Sequence, residues 1–294
     1  MFYSLSTLLI PKILESHTEI KLYILHSHFL FYTHTHTHIY IYIYMASIGT
    51  GYDLSATTFS PDGRVFQVEY AQKAADSSGL TLGMCCKDGV VLAVEKVLLS
   101  KMLLKESGRR VHLIDQHAIL AVAGMGPDGR QLATRARQEC EQYRNIFRMP
   151  MPAHLLAERI AGYVHVHSLY WHVRPFGCTI LIGTWDGKQG PALYMIDPSG
   201  TFYRYYGCAA GKGKQGAKTG LEKLDFHQLS CEDALFELAK LINAAHDESK
   251  DKPYEMEMIW IKRDLGKASL VPPNLIETVR QRAEQLAREE EMAD

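Results

Sequence analysis

Between Leu80 and Pro273 the hydrophobic period switches repeatedly from strand-like runs to helix pairs and back, which narrows the architecture more than any other property of the chain. The runs LTLGMCC, GVVLAVEK, RVHLID and HAILAVAG are short, apolar or β-branched, and separated by KDG and DQ, as in antiparallel hairpins. A helical period over about Asp128 to Phe147 follows. A second begins near Pro152 and carries Leu156, Ile160, Tyr163, Val164 and His167 at helical spacing. Strand-like runs return in CTILIGTW, PALYMI, TFYRYY and GCAAG. DGKQG and DPSG punctuate them, and Pro198 holds the second position of a type I turn, where its fixed φ is favoured. The next helix pair runs over about Lys214 to Leu224 and from Ser230 onward. Ser230 and Asp233 have capping-box spacing there, and Leu235, Leu238, Leu241, Ile242 and Ala245 share one face. EMEMIWIK reads as a final alternating strand, and a terminal helix starts after Pro272 and Pro273. Strand groups therefore alternate with helix pairs, not with single helices. The expected fold class is α+β, a four-layer αββα sandwich of two antiparallel sheets with helices outside, rather than a doubly wound parallel sheet.

The leader demands separate treatment. THTHTHIYIYIYM, Thr33 to Met45, places three histidines on one face of a notional strand, with His26 and His28 upstream. A structural zinc site wants four fixed ligands with a second shell to orient the rings, and a Thr/His alternation supplies neither. The dinucleotide repeat ACACAC reads as alternating Thr and His, and ATATAT as alternating Ile and Tyr. The expectation is a disordered leader of translated non-coding repeat over residues 1–44, with the true start at Met45. The best apolar run, Leu22 to Tyr32, is interrupted by His26 and His28 and falls short of the ~18 residues of a spanning helix. Its flanks also lack the basic start and cleavage site of a secretory signal.

From Met45 to Asp294 the chain suffices for one large domain with a packed core. The formal net charge is −1 and no long single-sign block occurs, which argues against a nucleic-acid partner; no membrane partner is expected either. Cys85, Cys86, Cys140, Cys178, Cys208 and Cys231 are scattered without a CxxC pair and read as reduced, mostly buried thiols. No cofactor and no metal are expected. His165 and His167 read as packed or solvated helix-flank residues. GKGKQGAKT places Gly211, Gly213 and Gly216 in GxGxxG spacing, but Ala217 separates the last glycine from Lys218, which spoils a phosphate loop. Glu232 and Asp233 open a helix instead of ending a strand, which spoils a dinucleotide site. A nucleotide-binding protein through this loop stays as an alternative. No GxSxG or recognisable cysteine nucleophile is present.

GYDLSATTFSPDGRVFQVEYAQKA, Gly51 to Ala74, closely resembles the amino-terminal signature of alpha-type subunits of the proteasome core particle. GVVLAVEK, AVAG, VRPFGC, LYMIDPSG and KDK fall where that family has similar runs, so the resemblance covers nearly all of Met45 to Asp294. It implies the N-terminal nucleophile hydrolase fold, the same four layers reached from periodicity. It divides the chain into a tail and turn (45–64), a helix (65–78), and a sandwich core with C-terminal helix (79–294).

The catalytic beta-type subunits share this fold, and their nucleophile is an N-terminal Thr whose own amine acts as base. By resemblance that place falls on Gly79, followed by Leu80, and neither has a hydroxyl. The catalytic lysine is matched by Arg110, which cannot shed its proton near neutral pH, while Glu95 keeps the acid. The resemblance thus implies a non-catalytic subunit; the other alternative is a catalytic beta-type threonine peptidase subunit. It implies a seven-membered alpha ring, beta-ring subunits, a regulatory particle and other activators, and assembly chaperones as partners. Location would be cytoplasmic and nuclear. Gate residues would be Tyr52, Asp53, Pro61 and Tyr70, and Arg110 would hold the terminal carboxylate of activator tails through paired donors. Leu54 stands where Arg commonly follows Tyr-Asp, and after Pro273 Thr278 is the only hydroxyl, so phosphorylation of a tail serine is not expected.

Overall fold

The computed structural model describes residues 51–104, 107–187, 190–246 and 252–293, with side chains as far as residue 289. The Thr33 to Met45 tract, the expected start at Met45 and all of the leader lie outside the described residues. The chain divides into a segment ending at Asp53 and a body from Leu54 to Asp294.

The body opens with a turn and helix α1 (Phe66–Asp76), followed by strands β1 (Thr81–Cys86), β2 (Gly89–Val97), β3 (Val111–Asp115) and β4 (Ala118–Gly124). Helices α2 (Gly126–Phe147) and α3 (Ala153–Val166) lead to β5 (Cys178–Asp186), β6 (Gly190–Ile196), β7 (Phe202–Tyr205) and β8 (Gly207–Ala210). Helices α4 (Lys214–Leu221) and α5 (Cys231–Ala245), strands β9 (Tyr254–Lys262) and β10 (Lys267–Leu270), and helix α6 (Pro273–Ala293) complete it. The Ser230 capping box forms, with Ser230 Oγ accepting from the Asp233 amide at 3.2 Å.

Two five-stranded sheets result, ordered β10-β9-β2-β1-β8 and β3-β4-β5-β6-β7, with antiparallel pairing throughout. Three apolar layers hold them. Val90, Leu92 and Val94 of β2 meet Ile119 and Ala121 of β4 between the sheets, while Val91 and Ala93 turn toward Leu235 and Leu238 of α5. On the far side Leu120 and Val122 pack with Leu132 and Ala136 of α2 and Leu156 of α3. The expected αββα sandwich is therefore the observed one. Strands covered on both faces bury every residue type, which is why β1 and β4 read as continuous apolar runs.

Two expectations need correction, both on EMEMIWIK, and the sheet membership of the strand runs is a finding of the structure. The runs before and after the first helix pair do not form separate sheets. β3 and β4 join β5, β6 and β7, whereas β8 leaves that group to pair with β1, Gly83 opposite Cys208. β9 is not the last strand, because the chain turns at Gly266, φ 62°, and adds β10 as an edge. Nor does β9 alternate in burial: Met256 through Ile261 are all buried, Glu257 included, because α5 and α6 cover one face of the strand and the second sheet covers the other. All six cysteines are free and buried, as expected.

Candidate functional site: the position of the missing nucleophile

Helix α1 buries Ala71 and Ala75 and ends in a tight cap, where Ser77 and Ser78 Oγ donate to the Lys73 and Ala75 carbonyls at 2.7 and 2.8 Å. The chain then runs without a break through Gly79 into β1. The Lys212 amide donates to the Ser78 carbonyl at 2.8 Å, and the Glu95 amide to the Leu80 carbonyl at 2.7 Å, so this junction is pinned from both sides. A Cβ at Gly79 would stand 2.0 Å from the Glu95 carbonyl oxygen. Gly211, φ 95°, completes the contact, for a Cβ there would lie 2.4 Å from the Gly79 oxygen. Gly211 of the GKGKQGAKT loop thus serves close backbone approach, and Lys214 Nζ pairs with Asp76 at 2.7 Å. The next hydroxyl, Thr81, is fully buried and directed at the Val122 carbonyl at 3.4 Å.

Glu95 is buried and occupied. Its Oε2 accepts from the Leu80 amide at 2.9 Å, and its Oε1 lies 2.7 Å from His246 Nδ1, which donates to it. His246 is the C-cap of α5 and packs at a tilt against Tyr254, with ring centroids 4.5 Å apart. Nothing in sequence spacing links residues so far apart, so His246 was not among the expected site residues.

Arg110 is half-buried, and its Nη1 donates to the Gly124 carbonyl. Its own amide donates to Glu257 Oε2 at 2.7 Å, and Lys96 Nζ lies 2.8 Å from Glu255 and 3.3 Å from Glu257. Burial pulls the guanidinium below its ordinary value while Glu257 opposes the shift, and nothing here converts Arg110 into a base. Arg109 and Val111, on either side of it, line an open pocket of about 710 Å³ between β9, the 98–104 segment and the start of α6, with Leu103, Met256 and Ile276.

The expected gate residues fall in two parts. Tyr52 and Asp53 belong to the segment ending at Asp53; Tyr52 is exposed. In the body, Pro61 is exposed in a closed turn. The Gly63 amide donates to the Ser60 carbonyl, the Ser60 amide to the Arg64 carbonyl, both at 2.9 Å, and the Arg64 amide to Ser60 Oγ at 3.0 Å. Arg64 pairs with Glu69, and exposed Tyr70 stacks on Phe66 at 6.2 Å one turn along α1.

A structural ion pair escaped the residue-by-residue reading as well. Buried Asp128, in the first turn of α2, takes Arg174 at 2.7 and 2.9 Å and the Gly177 amide at 2.8 Å, fastening the VRPFGC segment. Burial acts to raise its carboxyl, but the Arg174 and Gly177 donors prevail and hold it below the usual carboxylate range. A depressed carboxylate contributes stability above its unfolded pKa, about 3.9, and loses it as pH falls through the folded value. Asp128→Asn is expected to lower stability by about 2 kcal/mol at neutral pH. In urea unfolding the gap to the parent should close below about pH 4.

His165 and His167 take part in main-chain contacts, with Nδ1 atoms 3.3 Å from the Ser199 carbonyl and 2.9 Å from the Tyr163 carbonyl. No helix among the described residues is long and apolar enough to cross a membrane.

Comparison with known proteins matches residues 76–261 to the family described as Proteasome subunit, and residues 52–74 to the family described as the N-terminal signature of A-type proteasome subunits. The chain is 52% identical over 254 residues to the alpha type-3 proteasome subunit of Arabidopsis thaliana, covering 85% of this chain and 100% of that one. It is 53% identical over 237 residues to the Spinacia oleracea alpha type-3 subunit, covering 79% and 94%. To the Drosophila melanogaster alpha type-3 subunit it is 45% identical over 251 residues, covering 85% and 98%.

Proposed function

The chain belongs to the proteasome subunit family as an alpha-type subunit similar to alpha type-3, and from that premise we propose that it is a non-catalytic structural and gating subunit of the outer alpha ring of the core particle. The observation that carries the reading is Gly79. Its approach to the Glu95 carbonyl leaves no room for any side chain, so the position cannot hold a threonine without moving β2. Ser77, Ser78 and Thr81 all direct their hydroxyls at main-chain carbonyls, and the segment before Gly79 is a helix joined to the body, so a free amine is missing too.

In this reading the subunit sits in a seven-membered ring beside other alpha subunits, stacks on the beta ring, and meets assembly chaperones, the regulatory particle and other activators. It acts in ubiquitin-dependent protein degradation in the cytoplasm and nucleus. Tyr52, Asp53, Pro61 and Tyr70 serve the gate. Arg110 is assigned the carboxylate of an activator tail on the paired donors of its guanidinium; it does not itself line the cavity that Arg109 and Val111 border.

The test is chemical. Treated with threonine-directed covalent inhibitors, the full chain is expected to carry no adduct on the peptide spanning Ser77 to Thr81 and to hydrolyse no peptide substrate. An adduct there would overturn the assignment and restore the catalytic alternative.

A further inference from the structure

Away from the Gly79 region, Asp115 at the end of β3, His117 in the β3–β4 turn and Cys140 of α2 converge. Their carboxylate, imidazole and thiol ligand atoms all lie within 4.8 Å of one another. Asp115 and His117 are oriented from outside the trio. The Gln116 amide donates to Asp115 Oδ1 at 2.6 Å, which leaves Oδ2 facing His117. His117 Nε2 is 2.8 Å from the Met151 carbonyl oxygen, which can only accept, so Nε2 carries a proton and Nδ1 is the ring atom left to hold a metal through its lone pair. Nδ1 and Asp115 Oδ2 face each other 3.4 Å apart. The spacing suits a metal ion between them, in place of the Arg144 guanidinium that now serves Oδ2. Two N or O ligands of a tetrahedral Zn²⁺, each about 2.0–2.1 Å from the ion, stand about 3.4 Å apart. The Met151 carbonyl on Nε2 is the kind of partner that orients metal-bound histidines.

We propose that Asp115, His117 and Cys140 form a binding site for a borderline divalent transition metal such as Zn²⁺, with water in the fourth position. A thiolate, an imidazole and a carboxylate suit that ion better than Mg²⁺ or Ca²⁺, which take oxygen ligands. On binding, the Cys140 S–H bond is exchanged for S–Zn and the proton passes to solvent. Arg144, whose guanidinium now pairs with Asp115 Oδ2, is the competitor; its side chain is half exposed and swings into solvent as the metal enters. Bound metal would tie the β3–β4 turn to α2.

Cobalt(II) is the probe, since it occupies zinc sites and its bond to a thiolate gives an intense near-ultraviolet charge-transfer band. The full chain titrated with Co²⁺ is expected to develop that band, and Zn²⁺ to erase it by displacement. Cys140→Ala should abolish the band and His117→Ala should weaken binding at least tenfold, roughly the scale on which metal sites respond to lost partners. Cys178→Ala should leave the band intact. Arg144→Gln should tighten binding by roughly two- to fivefold, the worth of an exposed ion pair. Absence of the band in the parent chain, or a band that survives Cys140→Ala or is unmoved by His117→Ala, overturns the proposal. Should Cys140→Ala not fold, the His117→Ala and Arg144→Gln shifts decide it alone.

Discussion

Gly79→Thr is expected to destabilise this chain by about 3 kcal/mol or more, a large share of the 5–15 kcal/mol that holds a typical domain together. The cause is the first side-chain atom. A Cβ there would lie 2.0 Å from the Glu95 carbonyl oxygen and 3.1 Å from its carbon, and the obstacle is main chain in a strand paired on both sides. A side chain could rotate away; β2 cannot. Gly79→Ala, which adds only that atom, should be nearly as damaging. Gly162→Ala and Gly216→Ala are the controls, because a Cβ at either helical position meets nothing within 4 Å. Each should gain about 0.5–1 kcal/mol from the helix preference for alanine. Urea unfolding midpoints of the four variants decide the matter. A Gly79→Thr chain with the parental midpoint would show that this backbone can open, and the reason given for the missing nucleophile would fail.

Removal of Met45 through Ser55 is expected to raise basal peptide hydrolysis of an assembled core particle several-fold without preventing ring assembly. The cut is chosen from burial and hydrogen bonding. Ala56 is buried, and the Ser60 to Arg64 turn closes on itself, so everything that anchors the body is retained. Upstream, Gly51 adopts φ 84°, a conformation that β-branched residues avoid, and the hinge of the proposed gate lies before Pro61. Tyr52 and Asp53 supply a phenol and a carboxylate able to favour one state of the tail through hydrogen bonds. Tyr52→Phe and Asp53→Ala should therefore impair activator-induced opening while leaving assembly unchanged. If the truncated particle turns over peptides at the parental basal rate, the tail does not occlude the pore, and the subunit's role contracts to ring building.

The sequence by itself determined what depends on near neighbours. Hairpin spacing, the Ser230–Asp233 cap, the Pro198 turn and the helical faces are all decided within a few residues by backbone sterics and by the period at which apolar groups recur. The four-layer class followed from them, and the Gly79–Leu80 pair already lacked a hydroxyl. Sheet membership did not follow. β3 keeps its local hairpin with β4, but that hairpin joins β5 rather than β1 and β2, and β8 leaves its neighbour β7 to pair with β1, choices settled by packing over long separations. The burial of Glu257 is equally tertiary, since an alternating strand normally shows its acid to water until a second layer and Lys96 cover it. The same holds for Gly79. Its missing side chain is a fact of sequence, but the carbonyl of Glu95 and the backbone of Gly211 reach it, and the ring of His246 reaches the Glu95 carboxylate, only when distant strands and helix ends close together.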